Sequence, residues 1–93
     1  SNYCKGSLAS AGNHLREGAH LHLYTDGGLR HAEGIGSTTW VLYAVQSKGG
    51  SHTWTEIAYR AEFYECTASS LGYEAMALQA GLDFVLTLLT EER

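Results

Sequence analysis

Residues 21–30, "LHLYTDGGLR", decide how this chain is read, because a single carboxylate, Asp26, closes an apolar run and stands before two glycines. With His20 added, Leu21, Leu23 and Thr25 fall on one side of an alternation, and His20, His22, Tyr24 and Asp26 on the other. Period-two alternation marks a half-buried strand, so a strand is expected from His20, with the aspartate as its last residue. Asp-Gly is also a common turn dipeptide, and on that reading Asp26 merely shapes a bend.

Downstream, "GGLRHAEG" reads as a glycine-bracketed turn and "IGSTTWVLYAV", residues 35–45, as a second strand rich in β-branched and aromatic residues. "QSKGGS" carries the glycine pair of a hairpin loop, and "HTWTEIAYRAEFYE" from His52 alternates again. The short loop makes this third strand antiparallel to the second. Upstream, residues 1–19 are rich in Gly, Ser, Ala and Asn without a sustained period, which reads as a flexible lead-in to one domain over residues 20–93.

After "CTASS" the period becomes helical. Leu71, Ala75, Leu78, Leu82, Val85, Leu86 and Leu89 share one stripe, expected to face the sheet, with Ser69 or Ser70 as N-cap. The sequence therefore predicts an α/β fold of the α+β type, with three antiparallel strands followed by one long helix.

Glu74 is the unusual residue of that helix. At about 100° per residue it lies about 60° from Leu71, at the border of the apolar stripe. A capping box would need Ser or Thr three residues earlier, where Leu71 stands. A favourable interaction with the helix dipole remains as a structural explanation. Asp83, about 120° from Leu71 on the same wheel, points to solvent and is no site candidate.

Composition narrows the function classes. The 93 residues hold 6 Lys and Arg against 10 Asp and Glu, a formal charge of −4, so a free-standing basic nucleic-acid binder is excluded and any such contact is local or assisted. Cys4 and Cys66 have no metal-ligand spacing and suggest a reducing, intracellular setting. No apolar run is long enough for a membrane span. His20 and His22 could chelate a metal as a His-Xaa-His pair, but no third ligand is evident and packed or surface imidazoles are the simpler reading. Trp40, Trp54, Tyr43 and Tyr59 could stack on bases, although cross-strand or core packing is the more ordinary role. No Ser or Cys stands in a recognisable relation to a His and an acid.

The order of the parts is more informative than any one of them. A strand ending in Thr-Asp-Gly-Gly, two hairpin-linked strands, and then "SSLGYEAMALQAGLDFVL" with an early Glu resembles the N-terminal half of the ribonuclease H family over residues 20–90. Gly27, Gly28, Gly34 and Gly36 match the family's glycine-rich turn, and Glu74, Ala77 and Leu78 match its Glu-Xaa-Xaa-Ala-Leu-like run. The resemblance implies an endonuclease that hydrolyses the RNA strand of RNA/DNA hybrids by two-metal-ion catalysis. Asp26 and Glu74 would be catalytic metal ligands for Mg²⁺ or Mn²⁺, and the hybrid would be sensed through shape and 2′-hydroxyls.

The match is partial. The family carries a further aspartate on a fourth strand after this helix, and usually one more later, and neither is present in these residues. Glu91 and Glu92 cannot substitute, because a helix rising 1.5 Å per residue places them far from Glu74. The family's fourth strand pairs with the first, so an open edge beside an apolar helix face is expected here. The remainder of a larger polypeptide, or a second chain, would complete the sheet. The alternative is a catalytically incomplete ribonuclease H-like scaffold or binding module, since a fold does not fix a function.

Overall fold

The alternating runs form strands and the 3.6-period run a helix. The computed structural model describes residues 3–6, 8–65 and 67–91, with side chains from residue 11 onward; Cys66 and Glu92, and so their expected roles, lie outside the described residues. In chain order the elements are β1 (Tyr3–Gly6), α1 (Leu8–Arg16), β2 (His20–Arg30), a single 3-10 turn (His31–Glu33), β3 (Ile35–Lys48), β4 (Ser51–Glu65) and α2 (Ser70–Glu91). The sheet order is β1-β4-β3-β2, with every neighbouring pair antiparallel. Three long antiparallel strands followed by a long helix are thus the body of an α+β fold.

Local chemistry sets the boundaries. Gly49 and Gly50 both take positive φ, 55° and 82°, which closes the β3–β4 hairpin between Lys48 and Ser51. Ser69 caps α2: its Oγ accepts the Gly72 N–H at 3.0 Å, so one unpaired donor of the first turn is satisfied. The core lies between the sheet and the two helices. Ala11 of α1, Trp40, Leu42 and Ala44 of β3, Ile57 and Ala58 of β4, and Leu88 of α2 form its buried centre, with Phe84 packed on it. Each fully buried large side chain, such as Leu42 or Leu88, contributes roughly 1.5–3 kcal/mol.

Three sequence expectations are corrected. The stretch expected as a lead-in holds a strand and a helix: β1 pairs with β4 from Tyr3↔Ala61 to Gly6↔Ala58, and Ala11 of α1 is fully buried. Asp26 does not end its strand. β2 runs on to Arg30 in unbroken register with β3, Asp26 opposite Thr39 and Gly27 opposite Thr38, because neither Gly27 nor Gly28 adopts positive φ. The bend comes later, at the 3-10 turn and Gly34.

The third correction concerns α2. The leucine stripe does not face the sheet: Leu71, Leu78, Leu82, Leu86 and Leu89 are all exposed. Tyr73, Ala77, Gly81 and Leu88 are buried instead, with Ala80 and Phe84 half-buried beside them. Small residues at 77 and 81 let the helix approach closely, and a Cβ on Gly81 would stand 3.0 Å from Leu23 and 3.2 Å from Thr25 on β2. Leucines there would hold the helix off the sheet. The outermost strand on this flank is β2, so its edge is open among the described residues, as expected.

Candidate metal site

The approach of β2 to the start of α2 builds the site. A Cβ at Gly27 would lie 2.2 Å from the Glu74 backbone nitrogen and 2.3 Å from the Tyr73 carbonyl oxygen, so strand and helix backbones touch here and only glycine fits. Because the contact involves the residue after Asp26 and the residues at Glu74, it brings the backbones that carry the two acids into one neighbourhood.

Tyr73 locks the same junction from the other side. Its ring is fully buried and lies over Gly36 of β3, where a Cβ would come within 2.0 Å of the ring. Its hydroxyl donates to the Glu65 carbonyl at 3.2 Å and accepts from the Thr67 N–H at 2.9 Å, tying the start of α2 to the end of β4. Tyr64 stacks on it with ring centroids 6.1 Å apart. The Tyr64 phenol is pushed above its ordinary range, first by burial and then by the hydrogen bond it donates to Glu62 at 2.8 Å.

The result is an open depression of about 410 Å³ lined by Thr25, Asp26, Leu71, Glu74, Ala75 and Leu78. Both expected site residues are in it. Asp26 and Glu74 are exposed, and neither carboxylate is hydrogen-bonded or ion-paired to another described residue. The first turn of α2 holds no acidic residue, so Glu74 lies beyond the turn in which the helix dipole favours a carboxylate. Asp26, in mid-strand, does not shape a turn. Both structural explanations of these acids therefore weaken. Two exposed carboxylates offer hard oxygen donors with room for water, a set suited to Mg²⁺ or Mn²⁺ rather than to a soft metal.

The sequence missed Tyr73 and the meaning of Gly27 and Gly36. The available signal was glycine inside a strand pattern, which marks close backbone approach as often as a turn. Gly27, Gly28 and Gly36 lie within strands, and of the four matched glycines only Gly34 sits at the bend.

The remaining candidates sit elsewhere. Trp40 is buried against Phe84 at 4.9 Å between centroids, a core role. On the face of the sheet away from the helices, His22 meets Trp54 edge-on at 4.8 Å, and Tyr24 and Tyr43 join them at 5.9 Å from each other. His20, His22, His52 and Trp54 line a second depression of about 340 Å³, where Ser47 Oγ and His52 Nδ1 share a 2.6 Å hydrogen bond. Among the described residues, no three His, Cys, Asp or Glu are placed to hold a metal together, so His20 and His22 gain no third ligand. Asp83 is on the exposed side of α2, where it accepts from Gln79 at 3.0 Å. No described helix is long and apolar enough to cross a membrane. No family model, curated protein or solved structure matches the chain.

Proposed function

We propose that this chain is the N-terminal half of a ribonuclease H-type nuclease domain, acting on the RNA strand of RNA/DNA hybrids. Asp26 and Glu74 are its contribution to a divalent-metal site. The observation that carries the reading is the shared depression: a strand aspartate and a helix glutamate line it together, beside a strand–helix contact that admits only Gly27. That gives the Asp-Gly pair and the early helical Glu a common purpose that turn formation and the helix dipole do not supply.

In this role Asp26 and Glu74 would hold Mg²⁺ or Mn²⁺ through carboxylate oxygens, while Gly27 and Tyr73 fix the positions of the two backbones. The cation, when bound, supplies an activated water and stabilises charge on the departing oxygen. Leu71, Ala75 and Leu78 form an apolar wall of the same depression. The family's remaining acids would come from the rest of a larger polypeptide or from a second chain.

Cleavage of a labelled RNA/DNA hybrid tests the proposal. With the remaining acids supplied by further polypeptide or a second chain, Mg²⁺-dependent cleavage of the RNA strand is expected. It should fall by about 100-fold or more in Asp26→Asn and in Glu74→Gln, since even outer-shell partners of metal ligands are worth 10- to 100-fold. Cleavage unchanged in both variants would refute it. The second reading is a ribonuclease H-like scaffold without chemistry of its own, favoured by the presence of only two carboxylates in the depression. Hybrid binding without cleavage would identify that case.

A further inference from the structure

The face of the sheet turned away from the helices carries a cluster of rings that the metal site does not use. Alternation puts His20, His22 and Tyr24 of β2 on this face. The register carries the row across β3 and β4, with His20 opposite Val45, His22 opposite Tyr43, Val45 opposite Trp54 and Ser47 opposite His52. Val45 is buried beneath them, whereas Tyr24 and Trp54 stay 50% and 49% exposed. The rings hold one another in place. His22 and Tyr43 each meet Trp54 edge-on, at 4.8 and 5.8 Å, and Tyr24 lies 6.4 Å from Trp54 at an interplanar angle of 37°. Neither edge-on neighbour stacks on the indole, half of whose residue surface is still open.

Beside these rings lies the depression of about 340 Å³ lined by His20, His22, Val45, Ser47, His52 and Trp54. Every lining side chain except Val45 carries an N–H or O–H donor. None is a carboxylate, in a chain with 10 Asp and Glu. Glu56, opposite Tyr43, and Asp26, two residues beyond Tyr24, both lie outside the lining. We propose that this depression holds one nucleotide of a single-stranded nucleic acid, with its base stacked on Trp54 and its phosphate bound by the donors of His20, His22, His52 and Ser47. Aromatic platforms of this kind bind single strands through the faces of unpaired bases. A duplex keeps its bases stacked on one another, so this face selects the single strand and not the hybrid. The polar lining also argues against a covering layer of further chain, which would bury three imidazoles and a hydroxyl at a cost in lost hydration. Nor, among the described residues, are three ligands placed to share a metal ion. The volume is at the small end of ligand sites, in keeping with a single nucleotide. The inference rests on the opposite face of the sheet from α2 and is independent of the nuclease reading.

Fluorescence anisotropy of a labelled short oligo-dT tests it, in the presence of a chelator so that Asp26 and Glu74 hold no cation. Saturable binding is expected. Trp54→Ala should weaken it by about 10-fold or more, the usual worth of one base–aromatic stack, and Trp54→Phe, which keeps a ring, by less. The double variant His20→Ala, His52→Ala should weaken it separately, through the phosphate. All three positions are exposed, so the far-ultraviolet spectrum should not change. An abasic strand of the same length, which has phosphates but no base, should bind far more weakly. No binding of oligo-dT, equal binding of the abasic strand, or an affinity unchanged in Trp54→Ala or in the double histidine variant overturns the proposal. Thymidine monophosphate bound as tightly as the strand assigns the depression to a free nucleotide and overturns it equally.

Discussion

Gly27 shows how much can rest on a missing side chain. Its position between Asp26 and the backbone of Tyr73 and Glu74 leaves no room for even a methyl group. Gly27→Ala should therefore destabilise the fold by about 1–3 kcal/mol, as overpacking does, and push Glu74 away from Asp26. Urea denaturation measures the first effect and loss of Mg²⁺ response the second; an alanine variant of unchanged stability would contradict the contact. Both acids were legible in the sequence, because a carboxylate at a strand or stripe border stands out from its pattern. The glycine was legible only as a turn former, since its actual constraint comes from residues nearly fifty positions later. Tyr64 adds a pH dependence at this scale. Its raised phenol means that the folded state favours the neutral form. The stability so gained is fully present below the ordinary tyrosine value of about 10 and is lost as pH rises through the raised value. Denaturation at stepped alkaline pH should show this loss in the parent chain and a smaller one in Tyr64→Phe.

At the scale of elements, α2 separates what period reveals from what it conceals. Its helical period, its Ser69 cap and its length follow from the sequence, but the choice of buried face does not. Leucines dominate any reading of amphipathicity, whereas the sheet selected the side with Ala77 and Gly81, where close approach is possible and Tyr73, Phe84 and Leu88 supply the bulk. Contrasting substitutions make this assignment measurable. Leu88→Ala should cost about 2–5 kcal/mol as a buried leucine truncation. Leu82→Gln, on the outer face, should stay within about 0.5 kcal/mol of the parent. Similar losses at the two positions would mean that the helix is rotated from the orientation described. Residues 1–19 were illegible for a different reason: β1 and α1 are short, and their place in the fold comes from pairing with β4 and packing on the core rather than from a local period.

The whole molecule is a sheet covered on one face, with β2 at its edge and two acids beside that edge. Its formal charge of −4 makes long-range attraction of nucleic acid weak, so binding of a hybrid must rely on the local cation site and on surfaces supplied by a partner or by further chain. The His22, Tyr24, Tyr43 and Trp54 cluster occupies the opposite face from α2, and none of its residues lines the carboxylate depression. One decisive measurement is a Mn²⁺ titration of isotope-labelled protein followed by paramagnetic broadening of its amide signals. A joint Asp26–Glu74 site is expected to broaden signals first around residues 26–27 and 73–75, and Asp26→Asn should abolish that focus. Broadening centred on His20, His22 and His52, or no localised broadening at all, would contradict the account.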